Sequence, residues 1–333
     1  MRIAFFGTPQ FAVPSLKGLL AAPDVDVSAV VTQPDRRRGR GSQLMASPVK
    51  QVALEANCPI WQPAKIKRHT ETLDALKQLK ADAFVVVAYG QILSQAILDM
   101  PRLGCINAHG SLLPAYRGAA PIQWCLYHGE PLTGVTTMLM DAGMDTGAML
   151  LKAETPIGWS DNAYDVADVL ANISANLLLE TLRGLQQGKI RPAPQDDALA
   201  TYAPLIQKSD YLLDWSCSAI ALHNQVRGFY PNSVTQFRGE PLKVIATLPI
   251  GTDQPLLPAG LQSLRGQIDA ILQGAKDAQP GQVLGFLKGQ GPILHTGDGQ
   301  LLLQEVKPRG KRAQSGADFA NGSRLEVGEI FGG

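Results

Sequence analysis

A doubly wound, mostly parallel α/β sheet of the Rossmann-like type, followed by a smaller C-terminal β-barrel (OB-like), is the architecture this sequence predicts. Three observations predict it. Short apolar runs alternate with helix-like stretches through the first half of the chain, the order that builds parallel sheets. One run, AFVVVA at Ala83–Ala88, is apolar without alternation, as a strand covered on both faces must be. After Gly188 that order stops. Three prolines fall within 189–205, and short β-like pieces separated by glycine-rich turns follow.

Each element has a local reason. Arg2–Phe6 is an apolar strand, and Gly7-Thr8-Pro9 turns it into a helix over Phe11–Leu20. Asp26–Val31 is the second strand. Ser47-Pro48 opens a helix to Ala56, with serine as N-cap and proline at the first helical position. Ile60-Trp61 is a short strand, and Thr70 caps a helix through Lys80. A helix near Gln95–Met100 precedes the strand Cys105–Ala108. Ala119–His128 is a helix, Val135–Met140 a strand and Ala163–Gln187 a long helix. In the second half, Ser218 caps a helix to Arg227. Pro241–Thr247, Gly281–Leu287, Pro292–Thr296 and Gln300–Val306 are β pieces, with Gly297-Asp298-Gly299 as a hairpin turn. Residues 254–279 are expected as an insertion. The expected domains are 1–188 and 206–333, joined by a linker at 189–205.

The bulk numbers bound the function. A length of 333 residues exceeds what one core usually spans, so two domains are expected. A net charge of +1 excludes attraction of a polyanion by the molecule as a whole, so such a partner needs local basic clusters. The four cysteines form no C-x-x-C pair, which implies free thiols in a reducing compartment. The N-terminus lacks the apolar stretch of a signal peptide, and no run reaches membrane-spanning length. A cytoplasmic monomer, with no membrane and no obligate protein partner, is expected. The five histidines show no metal-ligand spacing, so no metal is expected.

The chemistry is concentrated in GCINAHGSLLPAYRG, residues 104–118. Asn107 and His109 end a strand two residues apart, so both side chains leave one face. In an open α/β sheet that strand end is where ligands bind. LMDAGMDTGAML, residues 139–150, adds a glycine-punctuated loop with Asp141 and Asp145, either of which can supply a carboxylate to His109. An amide and an imidazole aimed at one point, backed by a carboxylate, suit acyl transfer to an amine. The donors stabilise the oxyanion, by about 3 kcal/mol each where this has been measured in other enzymes, and the carboxylate takes the proton. No covalent intermediate is required. Ser111 lacks the G-x-S-x-G setting of a nucleophile, and Cys105 lies within an apolar strand.

INAHGSLLPAYRGAAPIQW and GVTTMLMDAGMDTGAML together resemble the formyltransferase superfamily that uses 10-formyltetrahydrofolate, and within it the branch acting on methionyl-tRNA. FFGTPQFAVPSL, QPDRRRGRG, SPVK and VVVAYGQIL extend the likeness, and DWSCSAIALHNQVRGF, HTGDG and DFANG carry it into the second half. The resemblance implies Asn107, His109 and Asp145 as the catalytic set, with Asp141 shaping the loop. It implies Ser111, Leu112, Leu113 and Pro114, with Tyr89 and Gln91 as a further wall, as the folate-binding residues. The implied reaction moves a formyl group from 10-formyltetrahydrofolate to the α-amine of methionine on initiator tRNA. A small amine, such as a ribonucleotide or an amino-sugar nucleotide, is the alternative acceptor. A nicotinamide-dependent oxidoreductase is disfavoured, because GTPQFA stands where G-x-G-x-x-G would follow the first strand.

Two basic clusters suit RNA phosphates. Arg36, Arg37, Arg38 and Arg40 fall in one loop, in which the resemblance singles out Arg40. Lys307, Arg309, Lys311 and Arg312 follow the expected barrel strand Gln300–Val306. His223 and Arg227, four apart, are neighbours on a helix, with a family role and plain packing as the two readings. Ser42-Gln43 and Phe229-Tyr230-Pro231-Asn232 depart from the family pattern.

Overall fold

The computed structural model describes residues 1–38, 43–250, 259–273 and 277–332. They form two compact units. One comprises Met1–Ile122, Leu132–Ile157 and Asp165–Pro204, the other Gln123–Pro131, Gly158–Tyr164 and Leu205–Gly333.

The first unit is built on seven strands: β1 (Arg2–Gly7), β2 (Asp26–Val31), β3 (Ile60–Trp61), β4 (Ala83–Val87), β5 (Cys105–His109), β6 (Leu132–Leu139) and β7 (Met149–Pro156). Their order is β7-β6-β5-β4-β1-β2-β3. The first five strands are mutually parallel, and β6 runs antiparallel to β5 and to β7. The chain order reverses at β1 and β4, the switch point at which such sheets open a crevice. The chain's first six helices are α1 (Val13–Ala21), α2 (Pro48–Glu55), α3 (Thr70–Leu79), α4 (Gln95–Leu98), α5 (Pro121–Tyr127) and α6 (Ala163–Gln186). All five residues of β4 are buried, which is why that run shows no alternation. Phe84 and Val86 pack with Ala4, Phe6 and Val31 in one core cluster, each phenylalanine and valine contributing about 2 kcal/mol of transfer free energy.

Most start signals act as expected. The Ser47 hydroxyl accepts from Lys50 N, with Pro48 opening the helix. At α3 the cap is His69 rather than Thr70. Its ring nitrogen accepts from Thr72 N, which leaves Thr70 as the first helical residue. Strand β7 gives no clear sequence signal, because it is an edge strand that alternates half-buried with exposed residues. The proline-rich segment expected as a linker carries pairings of its own through Pro204. Met149 and Ala193 form a bridge, and Tyr202–Ala203 pairs in parallel with Arg117–Gly118.

In the second unit, β8 (Val234–Phe237), β9 (Glu240–Ile250), β10 (Val283–Leu287), β11 (Gly291–His295) and β12 (Gln300–Pro308) form an antiparallel sheet in the order β8-β9-β12-β11-β10. The antiparallel sheet of the expected barrel is present, but among the described residues its end strands β8 and β10 do not pair to close a ring. The hairpin at Gly297-Asp298-Gly299 joins β11 to β12, with Gly299 at a φ of 81°. Helix α7 (Ala219–Gly228) starts on the Ser218 hydroxyl and packs Leu222 and Val226 into a core with Trp215, Phe237, Phe319 and Phe331. Within the expected insertion, α8 (Arg265–Gln273) buries Ile268 beside Leu248, Leu287, Ile293 and Leu302. A last helix, α9, spans Gly316–Ser323.

Candidate active site

The end of β5 holds the first two predicted residues. Asn107 is half-buried, and His109 is buried at 6% exposure. The His109 ring is fixed by its Nε2, which lies 2.9 Å from the carbonyl oxygen of Tyr116. A carbonyl only accepts, so Nε2 carries the hydrogen. That leaves Nδ1 facing Asp145, whose Oδ2 lies 3.7 Å away.

Asp145 comes from the loop between β6 and β7. Its φ is 57°, the left-handed region, which costs a non-glycine residue about 1 kcal/mol. The same Oδ2 accepts from Gly118 N at 2.9 Å. Asp141 folds the loop instead, accepting from Gly143 N and the Thr146 hydroxyl at 3.0 and 2.7 Å. A Cβ on Gly147 would overlap the Leu139 carbonyl oxygen, so the loop closes on β6 only with glycine there.

The two candidate nucleophiles are occupied. The Ser111 hydroxyl, 1% exposed, donates to Ala115 O at 2.6 Å. Burial pushes the Cys105 thiol up to about 12, with the Asp99 charge adding to the shift. An imidazole, an amide and a carboxylate remain, which is acid–base and oxyanion chemistry rather than covalent catalysis.

The other expected residues divide. Leu113 is fully buried and packs in the core, while Leu112 and Pro114 are half-buried beside it. The Leu113 amide is held by the Thr136 hydroxyl at 3.0 Å, and its carbonyl accepts from the Lys152 ammonium. The Tyr89 ring packs in the core cluster of the sheet, and the residue also lines the cavity at the switch point. Burial raises its hydroxyl's pKa, and its backbone carbonyl bonds Thr8 and Gln33. The Gln91 carboxamide is likewise used internally, accepting from Ile66 N and donating to Pro63 O. Both residues serve the fold as well, because a polar residue at a strand end also has to satisfy the backbone turns around it.

A cavity of about 330 Å³ opens at the switch point, lined by Thr8, Gln33, Arg36, Met45, Ala88 and Gly90 among others. Arg36–Arg38 pairs with Gln43–Met45 as a small antiparallel hairpin, with Arg36 opposite Met45. Arg36 and Arg37 are exposed. The hairpin's base is tied by Thr32 to Ser47 and by a Lys50–Asp35 ion pair at 2.6 Å, which holds the Asp35 carboxyl below its usual range. Arg40 and Ser42 lie outside the described residues. In the second unit Lys307, Arg309, Lys311 and Arg312 are all exposed. His223 and Arg227 are buried and bonded to protein groups.

Sequence reasoning missed the residues that hold the site: the Tyr116 carbonyl, the Gly118 amide, and Gln195 in the proline-rich segment. Two of these are backbone groups, which no residue type announces.

The model of the formyl transferase family matches residues 1–182, and that of its C-terminal domain matches 205–324. The chain belongs to the formyl transferase family. A methionyl-tRNA formyltransferase of Trichormus variabilis is 62% identical over 333 residues, covering 100% of this chain and 99% of the relative. One of Gloeothece citriformis is 58% identical, covering 99% of each. Family folds recur among solved structures. WlaRD, a sugar 3N-formyl transferase, superposes with a TM-score of 0.61 at 17% identity, covering 94% of this chain and 99% of that one. An N-formyltransferase from Helicobacter canadensis gives 0.62 at 17% identity, covering 90% and 98%. Among the described residues, no helix is long and apolar enough to cross a membrane, and no cluster of His, Cys, Asp and Glu forms a metal site.

Proposed function

We propose that this chain transfers the formyl group of 10-formyltetrahydrofolate to the α-amine of methionine on initiator methionyl-tRNA. The observation that carries this reading is the His109–Asp145 pair beside Asn107, 3.7 Å apart at a strand end, in a family member whose relatives named methionyl-tRNA formyltransferase match over its full length.

The folate supplies a formyl carbon already activated by its bond to N10. The residues of the chain do the rest. Asn107 offers an amide N–H to the formyl oxygen as negative charge develops there. His109, held through Nε2 by Tyr116, turns its Nδ1 edge toward the same space. Asp145 faces that edge, its Oδ2 3.7 Å from Nδ1. It also takes the proton released when the methionine nitrogen bonds the formyl carbon, directly or through one water. The bond to N10 breaks in the same exchange, and N10 takes up a proton. No side-chain nucleophile is used, consistent with the occupied Ser111 hydroxyl and the inert Cys105 thiol.

The turn from Ser111 to Pro114 fits a flat heterocycle through its half-buried Leu112 and Pro114, while Leu113 and Ser111 shape the turn from inside. Tyr89, which lines the switch-point cavity, and Gln91 beside it form a further wall for the folate. Arg36, Arg37, Arg38 and Arg40 take the RNA acceptor end, and Lys307, Arg309, Lys311 and Arg312 take phosphates further along it. A monomeric, cytoplasmic enzyme that needs no metal completes the reading.

The test is labelled formyl transfer from the folate to three acceptors: charged initiator tRNA, an amino-sugar nucleotide and a ribonucleotide amine. Transfer to the tRNA alone is the expected result. Transfer only to a small amine would reject the acceptor assignment and keep the chemistry.

A further inference from the structure

The segment around Gln195 touches both loops of the active site. Gln195 is half-buried, between neighbours that are exposed. Its Nε2 donates to Asp145 O at 2.7 Å and to Gly147 O at 2.8 Å. Its Oε1 accepts from Arg117 Nε at 2.9 Å. Arg117 is 2% exposed, and its Nη2 donates to Asp197 Oδ1 at 2.8 Å. A buried guanidinium is costly unless its hydrogens are used, so Arg117 and Gln195 fix each other.

These contacts close a ring. Gly118, next to Arg117, gives its amide to Asp145 Oδ2, and Tyr116, on its other side, gives its carbonyl to His109 Nε2. The strap of residues 116–118 therefore orients the imidazole and the carboxylate together. Arg117, through Gln195, holds the backbone of Asp145 in its left-handed conformation. The strap is itself stitched to the same segment. Tyr116 N donates to the Thr201 hydroxyl, Arg117 N to Thr201 O and Ala119 N to Ala203 O, each at 2.8 Å.

We infer that Gln195, with Arg117 behind it, is a positioning residue for formyl transfer, setting the backbone of Asp145 so that its carboxylate meets His109. This rests on the proposed function. Gln195 touches no substrate; it acts through Asp145. An amide suits the task because it donates twice toward the carbonyls and accepts once from the guanidinium.

The experiment measures kcat and KM for both substrates, with active enzyme counted by single turnover, in wild type, Gln195→Ala, Gln195→Glu, Asp145→Ala and the Gln195→Ala/Asp145→Ala double variant. Gln195→Glu keeps the size and the Arg117 contact but has no N–H for the Asp145 and Gly147 carbonyls, so it separates positioning from folding. Both Gln195 variants should lower kcat about 10- to 100-fold, with each KM within about twofold of wild type. In the Asp145→Ala background, Gln195→Ala should change the residual rate by less than about twofold, because its route to the chemistry is already gone. The inference is overturned if Gln195→Glu keeps the wild-type kcat, if the loss appears in KM, or if Gln195→Ala costs as much without Asp145 as with it. Wild type is the control for the underlying reading. If it does not formylate the charged tRNA, the proposed function fails. If it does and Gln195→Glu matches it, only the positioning role fails.

Discussion

Two histidines, one in each unit, are buried almost equally, His109 at 6% exposure and His223 at 4%. Their surroundings differ in kind. His109 is held on one nitrogen by a carbonyl and faces a carboxylate with the other. His223 spends both nitrogens on neutral groups, the Thr247 hydroxyl and the Trp159 carbonyl, each at 3.0 Å, and stacks on the Trp159 ring at 5.2 Å. Neighbouring Arg227 donates to Asn224 and to Gly158 O, locking the same turn. Burial and residue type do not separate a candidate catalytic histidine from a packed one. The charge of the partner does: a carboxylate faces His109, and only neutral groups face His223.

The largest effect expected from that contrast is on rate. His109→Ala should lower kcat by about 10²- to 10⁴-fold, the usual share of a positioned acid–base group. His223→Gln should keep kcat within about twofold. Steady-state formylation by the two variants checks this, and equal losses would erase the distinction.

The second effect is on stability. Burial, with the Arg227 charge adding to it, lowers the His223 pKa from 6.5 to about 4. The unfolded chain binds a proton there at a pH where the folded unit does not. Stability from this group is therefore complete above pH 6.5 and is lost as pH falls toward 4, on the order of 3 kcal/mol over that window. Thermal melts at pH 7 and pH 5 should show a smaller loss in His223→Gln than in wild type. An equal loss in both would mean that the ring is not held neutral.

The smallest effect concerns docking. Arg36→Ala should raise the KM for tRNA about tenfold with kcat unchanged, and should flatten the slope of log affinity against log salt by about 1. A loss in kcat instead would place this arginine with the chemistry of His109.

The contrast also explains what was legible in advance. The sheet could be read because burial writes itself into apolar runs, as in β4, where every residue is covered. The catalytic candidates could be read because Asn107, His109 and Asp145 carry chemistry in their side chains. Strand β7 was silent because an edge strand half exposes its residues. The segment 189–205 reads as a linker because it carries three prolines and no clear period, and nothing in that pattern shows that its backbone and Gln195 bond both loops of the candidate site. Tyr89 and Gln91 carry a second use that no residue type announces: the ring packs in the core and the carboxamide bonds a turn. Hydrogen bonds between distant segments leave no local pattern.

The central claim is that the carboxylate of Asp145 works with His109 on the reacting amine. Single-turnover formylation of charged initiator tRNA by Asp145→Asn, with enzyme and folate saturating, tests it most directly. Asparagine keeps an oxygen for the Gly118 amide but removes the charge and the proton acceptor. The account predicts a rate at least about 100-fold below wild type with tRNA affinity retained; a rate equal to wild type would contradict it.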